Sequence, residues 1–122
     1  MNDKTIGIKH DEKKPQWSLL PWETLEEVVE VMQYGAKKYG VDNWKHVDPP
    51  MRYWDAAMRH MIAFQQGEKL DESTLHHLAH AITSLIFLLW HDNKDWDALL
   101  KEAIKEVSRN LEKMEKTFNE HE

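Results

Sequence analysis

The chain has 122 residues, the length of one ordinary domain. It is 41% hydrophobic and 31% charged, too apolar for a disordered chain, and its net charge of -6 excludes a general nucleic-acid-binding surface while leaving room for a local cationic pocket. No cysteine is present, which removes disulfides, thiolate metal sites and a thiol nucleophile from consideration.

Residues 1–14 are polar and lack the apolar centre of a secretion signal. The longest apolar run, 75–90, is broken by His76, His77, His80, Thr83 and Ser84, and it is short of the roughly 20 residues that cross a bilayer. No membrane association and a cytoplasmic location are therefore expected. Pro21 and Glu23 suit the start of a first helix, on which Leu25, Val28, Val29, Met32, Ala36 and Tyr39 share a face before Gly40 ends it. Residues 41–47 read as loop. Asp48 ahead of Pro49 and Pro50 predicts the cap of a second helix, with Trp54, Ala57, Met58, Met61 and Ile62 as its apolar stripe and Gly67 as its limit.

A loop over 68–73 leads into a third helix that is apolar on two sides. Leu75, Leu78, Ile82, Leu85 and Leu89 form one stripe, and Ala81 and Leu88 lie with His77, His80 and Ser84 on the other. Such a helix belongs at the centre, buried between neighbours. Residues 93–95 break the pattern ahead of a final helix over about 95–119. There Leu100, Ile104, Val107, Leu111, Met114 and Phe118 alternate at four and three residues, the a/d seam of a coiled coil. Its second half projects past the other helices, so contact with another copy, a homo-oligomer, is expected. The expected architecture is an all-α, four-helix single domain: a polar segment 1–14, a core 15–92, and a C-terminal heptad-patterned helix 93–122.

Three groups of residues carry chemistry. Glu23, Glu26, Glu27 and Glu30 share one side of the first helix, where carboxylates spaced three and four apart can hold a hard divalent cation or simply face water. His77 and His80 point the same way from a helix with no evident wet face, downstream of the acids Glu68, Asp71 and Glu72 and of Ser73, while Arg59 and His60 interrupt the second helix's apolar pattern. Buried imidazoles need partners for both nitrogens, so this cluster predicts a polar pocket or a metal. Lys38, Tyr39, Asn43 and Trp44, with Lys14 ahead of the first helix, can grip a phosphate and stack a base; ordinary dipole compensation and core packing are the alternative.

Several separated words share an order that is familiar. Lys14-Pro15 with Leu19-Leu20-Pro21 is followed by Gly35-Ala36-Lys37-Lys38-Tyr39-Gly40 and Asn43-Trp44. Arg59-His60, Gly67-Glu68, Asp71-Glu72-Ser73 and His77-Leu78-Ala79-His80-Ala81 come next. Across 14–90 the sequence resembles the phage and bacterial dATP/dGTP diphosphohydrolase N-terminal domain family. The resemblance implies hydrolysis of purine deoxynucleoside triphosphates in a phage or bacterial nucleotide pathway, in the host cytoplasm if phage-encoded. It also places the chain near the MazG-like all-α NTP pyrophosphatases, oligomers that bind Mg²⁺ through an ExxE helix and a later ExxD helix. Glu23-x-x-Glu26 or Glu27-x-x-Glu30 stands for the first motif and Glu68-x-x-Asp71 for the second, although the latter falls in a loop and the MazG pattern has no counterpart of His77 and His80.

The expected function is metal-dependent hydrolysis of (deoxy)purine nucleoside triphosphates with release of pyrophosphate. Glu26, Glu30, Asp71 and Glu72 would hold Mg²⁺ or Mn²⁺, and Glu30, Asp71, His77 and His80 would carry catalysis. Lys14, Lys38, Tyr39, Asn43, Trp44, Arg59 and His60 would contact the small-molecule nucleotide. The alternative is a non-catalytic helical oligomer that sequesters a nucleotide without cleaving it.

Overall fold

A computed structural model describes residues 5–120; the first four residues of the polar segment and the last two of the C-terminal segment lie outside it. Among the described residues the fold is all-helical, with α1 (Trp22–Tyr39), α2 (Arg52–Gln65) and α3 (His77–Glu120), plus single 3-10 turns at Trp17–Leu19 and Asn43–His46. No helix is long and apolar enough to cross a membrane.

The expected count of four helices is corrected to three, because the break at 93–95 does not occur. Asn93 and Asp95 are mediocre helix formers, but neither lacks a backbone donor nor needs a left-handed backbone, so each costs only about 0.5 kcal/mol in a helix. With good helix formers on both sides, the third and fourth helices run on as one of 44 residues. The start of this helix is also later than a loop over 68–73 implies. Thr74 takes a left-handed backbone (φ 69°), Thr74 N–H bonds to the Asp71 carbonyl (2.8 Å), and Leu70 pairs with His76 as an isolated antiparallel bridge. His77 N–H then donates to the Lys69 carbonyl (2.8 Å), which closes the loop at the foot of α3.

Other boundaries follow local chemistry. Gly40 (φ 97°) ends α1 with its N–H on the Ala36 carbonyl at 2.8 Å, and Gly67 (φ 97°) turns the chain just after α2. Asp48 does not cap α2. Pro49 and Pro50 have no N–H to be capped, and their carbonyls instead receive the N–H groups of Arg52 and Tyr53.

α1 and α2 pack chiefly on the first third of α3. Val28 and Val31 of α1 bury against Ala79 of α3, flanked by Leu25, Met32 and Leu75. Ala57, with no exposed surface, brings α2 close to α3. Trp44 stacks on Phe87 (ring centroids 4.3 Å apart, planes within 7°) and meets the edge of Trp90, and its carbonyl accepts a 2.9 Å hydrogen bond from His91 Nε2. The inward faces differ from those the stripes suggest. On α2, Ala57 and His60 turn inward while Trp54, Met58 and Ile62 stay exposed. On α3 the histidine side is the buried one, with His77, Ala81, Ser84 and His91 covered and Ile82, Leu85 and Leu89 exposed. Every buried residue of α3 lies at or before His91, so the central, buried character expected of a separate third helix belongs to the first part of a longer one.

Candidate metal centre

Three chain segments converge where α2 faces the foot of α3. α2 presents His60, the 66–76 loop presents Glu68, Asp71 and Ser73, and α3 presents His77 and His80 one turn apart. His60 Nδ1 lies 2.9 Å from His77 Nδ1 and 3.9 Å from an Asp71 carboxylate oxygen. The donor atoms of His60, Asp71 and His77 all fall within 4.8 Å of one another, and this is the one such trio of His, Asp or Glu donors among the described residues. Two imidazole nitrogens bound to one ion through bonds of about 2.0 Å stand roughly 3.3 Å apart in tetrahedral geometry, so the pair is close to a ligating arrangement.

Around the trio sits a second layer of contacts. His77 Nε2 is 3.6 Å from Glu68, and His80 Nε2 is 3.7 Å from Asp71 and shares a 2.9 Å hydrogen bond with the Ser73 hydroxyl. Ser73 N–H donates to Asp71 at 2.8 Å. The His60 ring stacks on that of His80, 4.6 Å apart and 10° from parallel. His76 stays out of the cluster and caps α3 through its Nδ1, which accepts from the Leu78 N–H.

The electrostatics favour metal-ready groups. Burial, then the neighbouring His80, His77 and Arg59, hold His60 below the ordinary histidine range against the pull of Asp71. Burial likewise lowers His80, aided by His77 and opposed by Asp71. Burial alone would raise Asp71, but hydrogen bonds from Ser73 and the nearby His80 and His60 outweigh it and keep the carboxyl below its usual value. A lowered His60 beside a lowered Asp71 favours the neutral imidazole and ionised carboxylate that ligation requires.

The 39–48 turn and the outer side of α2 enclose a separate cleft of about 820 Å³, within the volume usual for small-molecule sites. Tyr39 and Asn43 form one wall, and Arg52, Tyr53 and Arg59 the other, with His46, Asp48 and Asp55 at the rim. Arg59 adjoins His60 in sequence, so the cleft and the cluster share α2.

The sequence-derived candidates distribute as follows. Asp71, His77, His80 and His60 come together. Tyr39, Asn43 and Arg59 line the cleft, and Lys38 stands 5.2 Å from the Tyr39 ring, its pKa raised chiefly by a hydrogen bond to Tyr39. Trp44 is packed on Phe87 rather than lining the cleft. Glu26 and Glu30 are exposed on α1 and do not join the trio; Glu72 is exposed near Lys38, and Lys14 is exposed in the N-terminal segment. His60, grouped in the sequence with His77 and His80 as a polar pocket or metal cluster and assigned to the nucleotide, is placed by the fold in the trio of possible donors. Sequence reasoning missed Arg52, a first-turn residue with no motif around it.

Residues 4–99 match the family model described as dATP/dGTP diphosphohydrolase, N-terminal. The chain belongs to that family. A relative from Salmonella phage PMBT28, named dATP/dGTP diphosphohydrolase, is 36% identical over 100 residues, covering 75% of this chain and 34% of the relative. The chain thus spans about a third of that protein's length. No solved structure matches it.

Proposed function

We propose that the chain hydrolyses (deoxy)purine nucleoside triphosphates to the monophosphate and pyrophosphate in a divalent-metal-dependent reaction at the His60–Asp71–His77 centre. The observation that carries this reading is the 2.9 Å approach of two imidazole nitrogens from different helices beside a carboxylate, and the name of the phage relative supports the substrate class. Two nitrogens and a carboxylate suit Mn²⁺ or another first-row ion better than Mg²⁺, which prefers an all-oxygen shell. The reading therefore puts His60 and His77 where Glu26 and Glu30 were expected, with Asp71 kept and Glu68, 3.6 Å from His77 Nε2, orienting that ring from outside the donor set.

A bound divalent ion supplies charge neutralisation at the phosphates and acidifies water at the site. The chain's own residues do the rest. Arg59 and Arg52 hold phosphoryl oxygens and offset charge as it develops, with Lys38 at the cleft edge. Tyr39 stacks the base and Asn43 reads its edge. His80 stands outside the trio, held by Ser73, and its neutral imidazole accepts the proton of the attacking water. The oxygen of that water bonds to the α-phosphorus, the α–β phosphoanhydride breaks, and pyrophosphate leaves. In a phage-encoded setting this activity acts on the nucleotide pool of the host cytoplasm.

The test is incubation with dATP, dGTP and their ribose and pyrimidine counterparts, with Mn²⁺, with Mg²⁺ or with EDTA, and mass analysis of the products. Metal-dependent formation of monophosphate and pyrophosphate, lost in His77→Ala, is the expected result. Nucleotide bound in EDTA and recovered unchanged would make the chain a sequestering protein and overturn the reading.

A further inference from the structure

After His91 nothing among the described residues buries a side chain of α3, and its last 29 residues, 92–120, project about 40 Å at 1.5 Å per residue. Along this stretch Leu100, Ile104, Val107, Leu111, Met114 and Phe118 lie on one face and are 42–68% exposed. The face begins one residue past the family-matched segment, so it is an addition to the body that carries the metal centre. We infer that this face docks a second copy of the same chain, with the two α3 helices antiparallel and centred at Arg109.

Area and charge both support that occupant. Six such side chains hide roughly 100 Å² each, so two copies together bury about 1,200 Å² before flanking stems are counted, the lower edge of stable interfaces. The four-three alternation keeps the seam facing one straight partner helix, as a globular neighbour would not require. Orientation follows from the positions flanking the seam. In a parallel pair those neighbours are Ala103 with Ser108 and Asn110 with Glu115, with no opposite charges between them. Reversing one helix about Arg109 sets Leu100 on Phe118, Ile104 on Met114 and Val107 on Leu111, and brings Lys101 beside Glu115 of the other copy. Two-fold symmetry makes that ion pair twice. Arg109 itself is engaged on the outward side with Glu102 and Glu106, 3.6 and 3.3 Å away, and leaves the seam free.

The experiment is sedimentation equilibrium of the full chain and its variants at micromolar concentration. Wild type is expected at twice the 14.6 kDa chain mass, and Leu111→Asp at the single-chain mass with its helical spectrum unchanged below residue 92. Lys101→Glu and Glu115→Lys should each weaken the dimer about tenfold, and the double variant should restore it. Because the chain has no cysteine, a single Ser108→Cys thiol reports geometry. The antiparallel pair places the two copies of residue 108 side by side and they cross-link on oxidation, whereas a parallel pair holds them on opposite sides of the seam. A wild-type monomer, a trimer or tetramer, or a dimer that cross-links through Val107→Cys but not Ser108→Cys would overturn the proposal.

Discussion

Ser73 bonds two groups of the candidate metal centre with two different atoms. Its N–H fixes the Asp71 carboxylate at 2.8 Å and its hydroxyl holds His80 at 2.9 Å. Replacing it with alanine keeps the first bond and deletes the second, so Ser73→Ala should fold normally yet weaken metal binding or turnover by roughly 10–100-fold, the usual effect of losing a group that orients metal-site residues. Metal titration followed by calorimetry, beside a circular dichroism spectrum, checks both halves. One residue on, Thr74 sits at φ 69°, a backbone region costing a β-branched L-residue about 1–2 kcal/mol. Thr74→Gly removes that strain, while the freer unfolded chain takes back roughly 0.5–1 kcal/mol. The expected net is a rise in Tm of about 2–6 °C in a thermal melt. At this scale the sequence was legible where residues clustered locally. The Asp71-Glu72-Ser73 and His77-x-x-His80 words announce a polar pocket by spacing alone. His60 reaches His77 across seventeen positions of chain, and no local pattern contains that distance.

At the scale of elements, apolar spacing located the helices better than it located their faces. The stripe read on α2 was Trp54, Ala57, Met58, Met61 and Ile62; the fold buries Ala57, half-buries Met61 and leaves the other three exposed. The structure turns α2 by its small residue: Ala57 lets the backbones approach, and His60 is carried inward with it. On α3 the sequence reads apolar residues on two sides, and the fold buries the histidine side of the two. Helix ends were readable where glycine set them, at Gly40 and Gly67, whereas polar residues at 93–95 looked like a break and are not one. That continuity is testable. Asn93→Pro inside a helix removes a hydrogen bond and clashes with the preceding turn, at about 3 kcal/mol. Ellipticity at 222 nm should fall and amide exchange should quicken around residues 89–97, whereas proline in a true loop would leave both unchanged.

For the whole molecule, the apolar side chains that are fully covered are few and small. Its buried apolar residues are Val28, Val31, Ala57, Ala79 and Ala81 among the described residues, and no large side chain is fully buried. The His60–Asp71–His77 trio draws one donor from each of α2, the 66–76 loop and the first turn of α3. An ion bound there stabilises only the folded arrangement, because the unfolded chain spreads these donors over eighteen residues. Binding at a hundredfold excess over Kd therefore adds about 2.7 kcal/mol to the free energy of unfolding. For a domain of this size such a gain raises Tm by roughly 10–15 °C. Differential scanning calorimetry with Mn²⁺ should show this shift, EDTA should reverse it, and His77→Ala should be indifferent to both. A wild-type melt unmoved by Mn²⁺, Zn²⁺ and Mg²⁺ alike would show that the paired imidazoles share a proton rather than an ion, and would send the search for the catalytic metal back to the exposed glutamates of α1.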